Sequence, residues 1–103
     1  MDQNILSPIT PGEMLVEEFL KPMGISQNAL ARSMHIPLDR INHIVHGTRA
    51  ITVDTALRLS IALGTTPEFW LNLQLKYDLE TGKEKLSGQI IKEVIPLVDE
   101  SPE

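Results

Sequence analysis

The sequence predicts a small all-α protein, and three features of its punctuation carry that prediction. Helix openings stand out at Thr10-Pro11-Gly12-Glu13 and Thr66-Pro67-Glu68, each a capping hydroxyl followed by Pro at the first helical position. Between them, apolar residues recur three and four apart, the period of one helix face. Gly24, Gly47 and Gly64 fall where those runs stop, Gly47 at the position where a helix ends in the left-handed conformation. A chain of 103 residues holds one such core and is too short for two.

Taken in order, the first helix starts after Thr10, with Glu13 completing a capping box. Leu15, Val16, Phe19 and Leu20 form its apolar stripe, and Pro22 with Gly24 closes it near residue 22. Ser26 caps a second, shorter helix whose inward residues are Leu30, Ala31 and Met34. After the tight connection His35-Ile36-Pro37, a third helix covers about Leu38 to His46, with Ile41, Ile44 and Val45 inward. Thr52 opens a fourth, with Val53, Ala56, Leu57, Ser60 and Leu63 at helical spacing. The fifth follows Thr66 and carries two stripes. Phe69, Trp70, Leu73 and Tyr77 serve to dock it, while Leu71, Leu75 and Leu79 line the opposite side at four-residue steps. A surface helix needs only one apolar stripe, so the second calls for cover by the C-terminal segment or a second subunit. Residues 83–95 fit a short additional helix, although Gln89 to Ile95 is β-branched enough for an edge strand. The organisation expected is an N-terminal tail over 1–10, a five-helix domain over 11–79, and a C-terminal helical segment and tail over 80–103.

Two short helices joined by three or four residues form a helix-turn-helix, the unit that lays its second helix in a DNA major groove. The net charge of −5 opposes that reading, but the charge is segregated. Residues 1–20 carry −4, residues 21–60 carry +3 with all three His, and residues 61–103 carry −4. A basic centre between acidic ends can present one positive face, because potentials are screened beyond about 10 Å. With Ile41 and Ile44 inward, Leu38, Asp39, Arg40, Asn42, His43 and His46 fall on or near the outer face. Arg suits guanine, Asn suits adenine, and an apolar tip suits the thymine methyl. The expected base-contacting residues are therefore Leu38, Arg40, Asn42 and His43. Gln27 in the first turn of the second helix, with His46, Thr48 and Arg49, is placed for phosphates. Asp39, an acid at a helix start, fits the helix dipole better than a base edge.

Other chemistries find little footing. The chain has no Cys, which excludes disulfides and thiolate metal sites and suits a cytoplasmic protein. His43 and His46 are three apart on one helix, yet no third and fourth ligands accompany them, so no metal or other cofactor is expected. Glu17 and Glu18 project to different sides of their helix and make no acid/base pair. No nucleophile–base pairing or Gly-rich phosphate loop is present, so no enzyme activity is expected. No apolar run reaches a membrane span, and no membrane partner is expected. Aromatics at 4% leave no stacking platform for single-stranded nucleic acid.

Three stretches carry a family resemblance: PGEMLVEEFLKPMGISQNALA, IPLDRINHIVHGTRAIT and DTALRLSIALGTTPEFWLNLQLKYDLE. Together they cover Thr10 to Leu79 and resemble the HigA-type antitoxins, within the Xre and lambda-repressor-like helix-turn-helix proteins. The PEFWLNLQ helix is the most specific piece, since generic repressors of that class lack it. Thr10, His43, His46 and Thr48 depart from residues frequent in the family, which bears on which operator is read. The resemblance implies an antitoxin that neutralises a small basic RelE-like mRNA-cleaving toxin and represses its own operon. It also implies a homodimer on a palindromic double-stranded operator. Leu71, Leu75 and Leu79 are the expected dimer interface. The toxin-facing surface is either the acidic first helix with the N-terminal tail or the acidic C-terminal segment; the first is preferred, with Glu13, Glu17 and Glu18 as the charge donors to a basic toxin. Two alternatives stay open from the residues: a stand-alone repressor with no toxin partner, and an interaction adaptor that no longer binds DNA.

Overall fold

Thr10 opens the first helix by the reciprocal capping its sequence dictates. Its hydroxyl accepts the Glu13 amide at 3.0 Å, and the Glu13 carboxylate accepts the Thr10 amide at 3.0 Å. Two donors that a helix start leaves orphaned are thereby satisfied. The computed structural model describes residues 9–98, so nearly all of the expected N-terminal tail and the acidic end lie outside the described residues.

Helix α1 runs unbroken through three segments: α-helical Pro11–Leu15, π-helical Val16–Leu20 and α-helical Lys21–Met23. It runs through Pro22 and closes at Met23, within a residue of the expected end. Pro in a regular helix presses its ring on the carbonyl four residues back. Here the Lys21 amide bonds the Val16 carbonyl, five residues back, and this wider turn relieves the crowding just ahead of Pro22. Gly24, at φ 65°, ends the helix.

Ser26 caps α2 (Gln27–Met34) by accepting the Ala29 amide, and Leu30, Ala31 and Met34 are buried. His35 takes the left-handed turn at φ 58°, letting the Ile36 amide reach the Ala31 carbonyl at 3.1 Å. Helix α3 (Leu38–Val45) buries Ile41 and Ile44 as expected. Helix α4 (Val53–Leu63), capped by Thr52, sits in a different rotation from the expected one. Thr55, Ala56, Leu59 and Ser60 are buried, whereas Val53, Leu57 and Ile61 are exposed. Val, Leu and Ile surround this helix almost completely, so hydrophobic period alone did not choose the face.

Helix α5 (Pro67–Glu93) fuses the fifth helix with the C-terminal segment. Gly82 does not interrupt it, because the flanking Lys, Glu and Leu are good helix formers and nothing forces a left-handed turn there. It stops at Val94, two residues before Pro96. Among the described residues there is no strand, so the edge-strand option for 89–95 is removed.

The core joins all five helices through Leu15, Leu20, Leu30, Met34, Ile41, Ile44, Ile51, Leu59 and Trp70. Trp70 has no exposed surface, and its indole donates to the Thr65 hydroxyl at 2.7 Å. Phe19 and Phe69 pack edge-on or tilted around it, with ring centres 4.9–5.9 Å apart. The tightest junction is between α1 and α3. A Cβ placed on Gly12 would stand 2.1 Å from the Ile44 carbonyl oxygen, so only glycine lets the two backbones meet. That contact seats α3 and fixes which of its faces looks outward. No helix is long and apolar enough to cross a membrane among the described residues.

Candidate nucleic-acid interface

The outer surface of α3 is polar because its two isoleucines are taken by the core. Leu38, Asp39, His43 and His46 are exposed, and Asn42 is half-buried beside them. Pro37, in extended backbone, starts the helix abruptly and holds Leu38 at its leading end. The trailing end is knitted to the following loop. The Thr48 amide and hydroxyl both donate to the His43 carbonyl, at 2.9 and 3.2 Å. His43 Nδ1 lies 3.0 Å from the Thr48 hydroxyl, and His46 Nδ1 lies 2.7 Å from the Asn42 carbonyl. The other ring nitrogen, His43 Nε2, lies 3.6 Å from Asp39 Oδ2. Both histidine rings are thus oriented while their edges stay open to solvent.

Arg40 does not lie unengaged on this face. Its Nη1 donates to Asp54 Oδ2 at 2.7 Å, and only 23% of its side chain is exposed. The same oxygen accepts Arg58 Nε at 3.0 Å, and Arg58 Nη1 donates to the Met34 carbonyl at 2.9 Å. One carboxylate therefore ties α3 to α4, while Arg58 ties α4 to the last turn of α2. The Arg58 hydrogen bond, then that of Arg40, holds the Asp54 carboxyl below the usual carboxylate range. The sequence reading missed Asp54 and Arg58. Their four-residue spacing on one helix is a visible acid–base pair. The link to Arg40, fourteen positions away in sequence, is not visible in any local pattern.

The residues assigned to phosphates surround α3. Gln27 is half-buried at the first position of α2, while His46, Thr48 and Arg49 are exposed at the far end of α3. Arg49 makes no ion pair among the described residues. The expected toxin-facing acids are less free. Glu13 is committed to the capping box and Glu17 to Lys21 at 3.0 Å, leaving Glu18 without an ion pair among the described residues. On α5, Leu75 is 62% and Leu79 52% exposed, but Leu71 is half-buried against the core. Leu71 can contribute only an edge to any interface, because the same turn of helix docks Trp70.

An outward polar α3, held behind α2 by a tight turn and knitted to the following loop at its trailing end, defines a helix-turn-helix domain. The comparisons with known proteins agree. A helix-turn-helix family model matches residues 16–70. Virulence-associated protein I of Dichelobacter nodosus is 47% identical over 92% of this chain and 86% of its own length. Antitoxin GraA, solved in complex with its operator, superposes with a TM-score of 0.84 at 49% identity, covering 89% of this chain and 93% of that one. Pseudomonas aeruginosa antitoxin HigA, solved with the higBA promoter, gives a TM-score of 0.84 at 42% identity, covering 88% and 99%. The chain belongs to the helix-turn-helix family and, within it, to the HigA antitoxins.

Proposed function

We propose that this chain is an antitoxin that represses its own operon and neutralises a RelE-like mRNA-cleaving toxin. The observation that carries the DNA half is the seating of α3. Its isoleucines are inside and its histidines, Asn42 and Leu38 face outward, in a fold similar to that of antitoxins solved with promoter and operator DNA. Leu38 meets a thymine methyl, Asn42 and His43 reach base edges, and Arg40 offers the edge of its guanidinium that Asp54 does not hold. Gln27, His46, Thr48 and Arg49 hold phosphates on either side. Residues 11–79 form the DNA-binding unit, and 80–103 serve partner contacts. Leu75 and Leu79, with Leu71 at their edge, pair two copies. Their recognition helices then stand about 34–36 Å apart on a palindromic operator. Such a protein works in the cytoplasm, and no catalytic step is part of this reading.

Glu18, with Glu13 and Glu17 behind it, gives a basic toxin an electrostatic target. The test is co-expression with the small basic protein encoded beside it. Rescue of growth and co-purification are expected. Loss of both removes the toxin half and leaves a repressor.

A further inference from the structure

The cluster around Asp54 has a consequence for how DNA is chosen. Asp54 is the second residue of α4, with 53% of its side chain exposed, yet one of its oxygens holds two guanidiniums at 2.7 and 3.0 Å. The chain has four arginines, and this carboxylate engages two of them next to the recognition helix. A phosphate oxygen and a carboxylate oxygen offer an arginine the same hydrogen-bonding geometry. Asp54 thus occupies, from inside the protein, positions on Arg40 and Arg58 that a DNA backbone would otherwise take.

We propose that Asp54 is a specificity-determining residue: it withholds Arg40 and Arg58 from indiscriminate phosphate contact and leaves Arg40 set for a base edge. This rests on the DNA-binding function proposed above. A duplex of any sequence supplies phosphates, but displacing Asp54 forfeits two charge-assisted bonds and strands a carboxylate beside DNA. A matching base pair needs no such displacement, because the remaining edge of the Arg40 guanidinium is already aimed by the pair with Asp54. The carboxylate also subtracts one charge from the local positive block, lowering general attraction to DNA. Asp54 raises the ratio of operator to random binding chiefly by weakening the random term.

The test uses the full chain and two duplexes: the best binder selected in vitro from a random pool, and a scrambled duplex of equal composition. Asp54→Asn keeps the shape and removes the charge. The scrambled duplex is expected to bind about threefold to tenfold tighter at low salt, with a salt slope steeper by about one. The selected duplex should gain less, so the specificity ratio falls. A residue that merely braced α3 would instead weaken both duplexes and leave the salt slope unsteepened. An unchanged ratio and slope would overturn the proposal alone, whereas an unmodified protein that binds neither duplex would overturn the DNA function with it. If Asp54→Asn fails to fold, arginine side-chain NMR of the unmodified protein carries the test. Arg40 and Arg58 Nε–H signals should hold still on adding the scrambled duplex and Arg40 should move on adding the selected one; movement of both on the scrambled duplex overturns the proposal.

Discussion

Gly12 and Gly82 are the same residue in the same kind of backbone, and they do opposite things. At Gly12 the missing side chain is a structural requirement, since a Cβ would be driven into the backbone of α3 at 2.1 Å. At Gly82 nothing lies within 4 Å of where a Cβ would be. The first belongs to the packed body of α1–α4 and the start of α5, where position is decided by contact. The second belongs to the distal part of α5, where local helix preference is all that acts. Trp70 is the only buried residue of α5, and beyond Thr81 its apolar side chains Leu86, Ile90 and Ile91 are exposed. The molecule measures 52 Å along its longest axis against 32 and 26 Å across, so one long helix stands away from a compact body. Under the proposed function the work divides along the same line, with the body aiming a DNA-reading helix and the projecting helix offering apolar surface to a partner.

The strongest way to break this contrast is Gly12→Ala. Neither backbone can give way cheaply, so the variant should lose about 3 kcal/mol or more of stability, read from urea unfolding. A loss below about 1 kcal/mol would mean that α1 and α3 do not meet as closely as described. Leu75→Glu comes next. It lies on the exposed side of α5 and removes no contact of the core, so any stability it loses should be the concentration-dependent part that dimerisation supplies. Light scattering should report a monomer, with operator binding weakened at least about tenfold. A variant that stays dimeric places the interface elsewhere. Gly82→Ala sharpens the contrast from the other side. It should stabilise the helix by about 0.5–1 kcal/mol and slow amide exchange over residues 83–93, leaving the body untouched.

The smallest effect concerns acid. Asp54 titrates below its usual range because Arg58 and Arg40 hold its charged form. Its stabilisation is therefore complete above the ordinary carboxylate pKa and disappears as pH falls through the lower, folded value. The unfolding temperatures of the unmodified protein and Asp54→Asn should differ slightly at neutral pH and converge in acid. Asp54 itself is half exposed, so the gap is small.

What was legible in the sequence follows the range of the interactions. Thr10, Ser26, Thr52 and Thr66 each cap the helix they were expected to cap, because a cap is a contact three residues long. Ile41 and Ile44 were placed inside by period alone, and the outer face of α3 followed. The rotation of α4 was not legible, since Val53, Leu57 and Ile61 compete with Ala56 and Leu59 for the core and only tertiary packing decides. Pro22 and Gly24 mark the close of α1 to within about a residue, a wider turn carrying the helix through Pro22. The fusion of α5 with the C-terminal segment rests on the helix formers that flank Gly82. Arg40 looked like an unengaged outward group because Asp54 comes to it from another helix. In the candidate site, the residue types were readable and their mutual engagement was not.

The central claim is that α3 is the part of this chain that reads DNA. Backbone amide shifts of the full chain, followed as an in-vitro-selected duplex is added, test it most directly. The largest changes should fall on Leu38, Asn42, His43 and Thr48, with Gln27 close behind and residues 83–93 still. Changes concentrated on α1 or the distal part of α5, with α3 undisturbed, would contradict it.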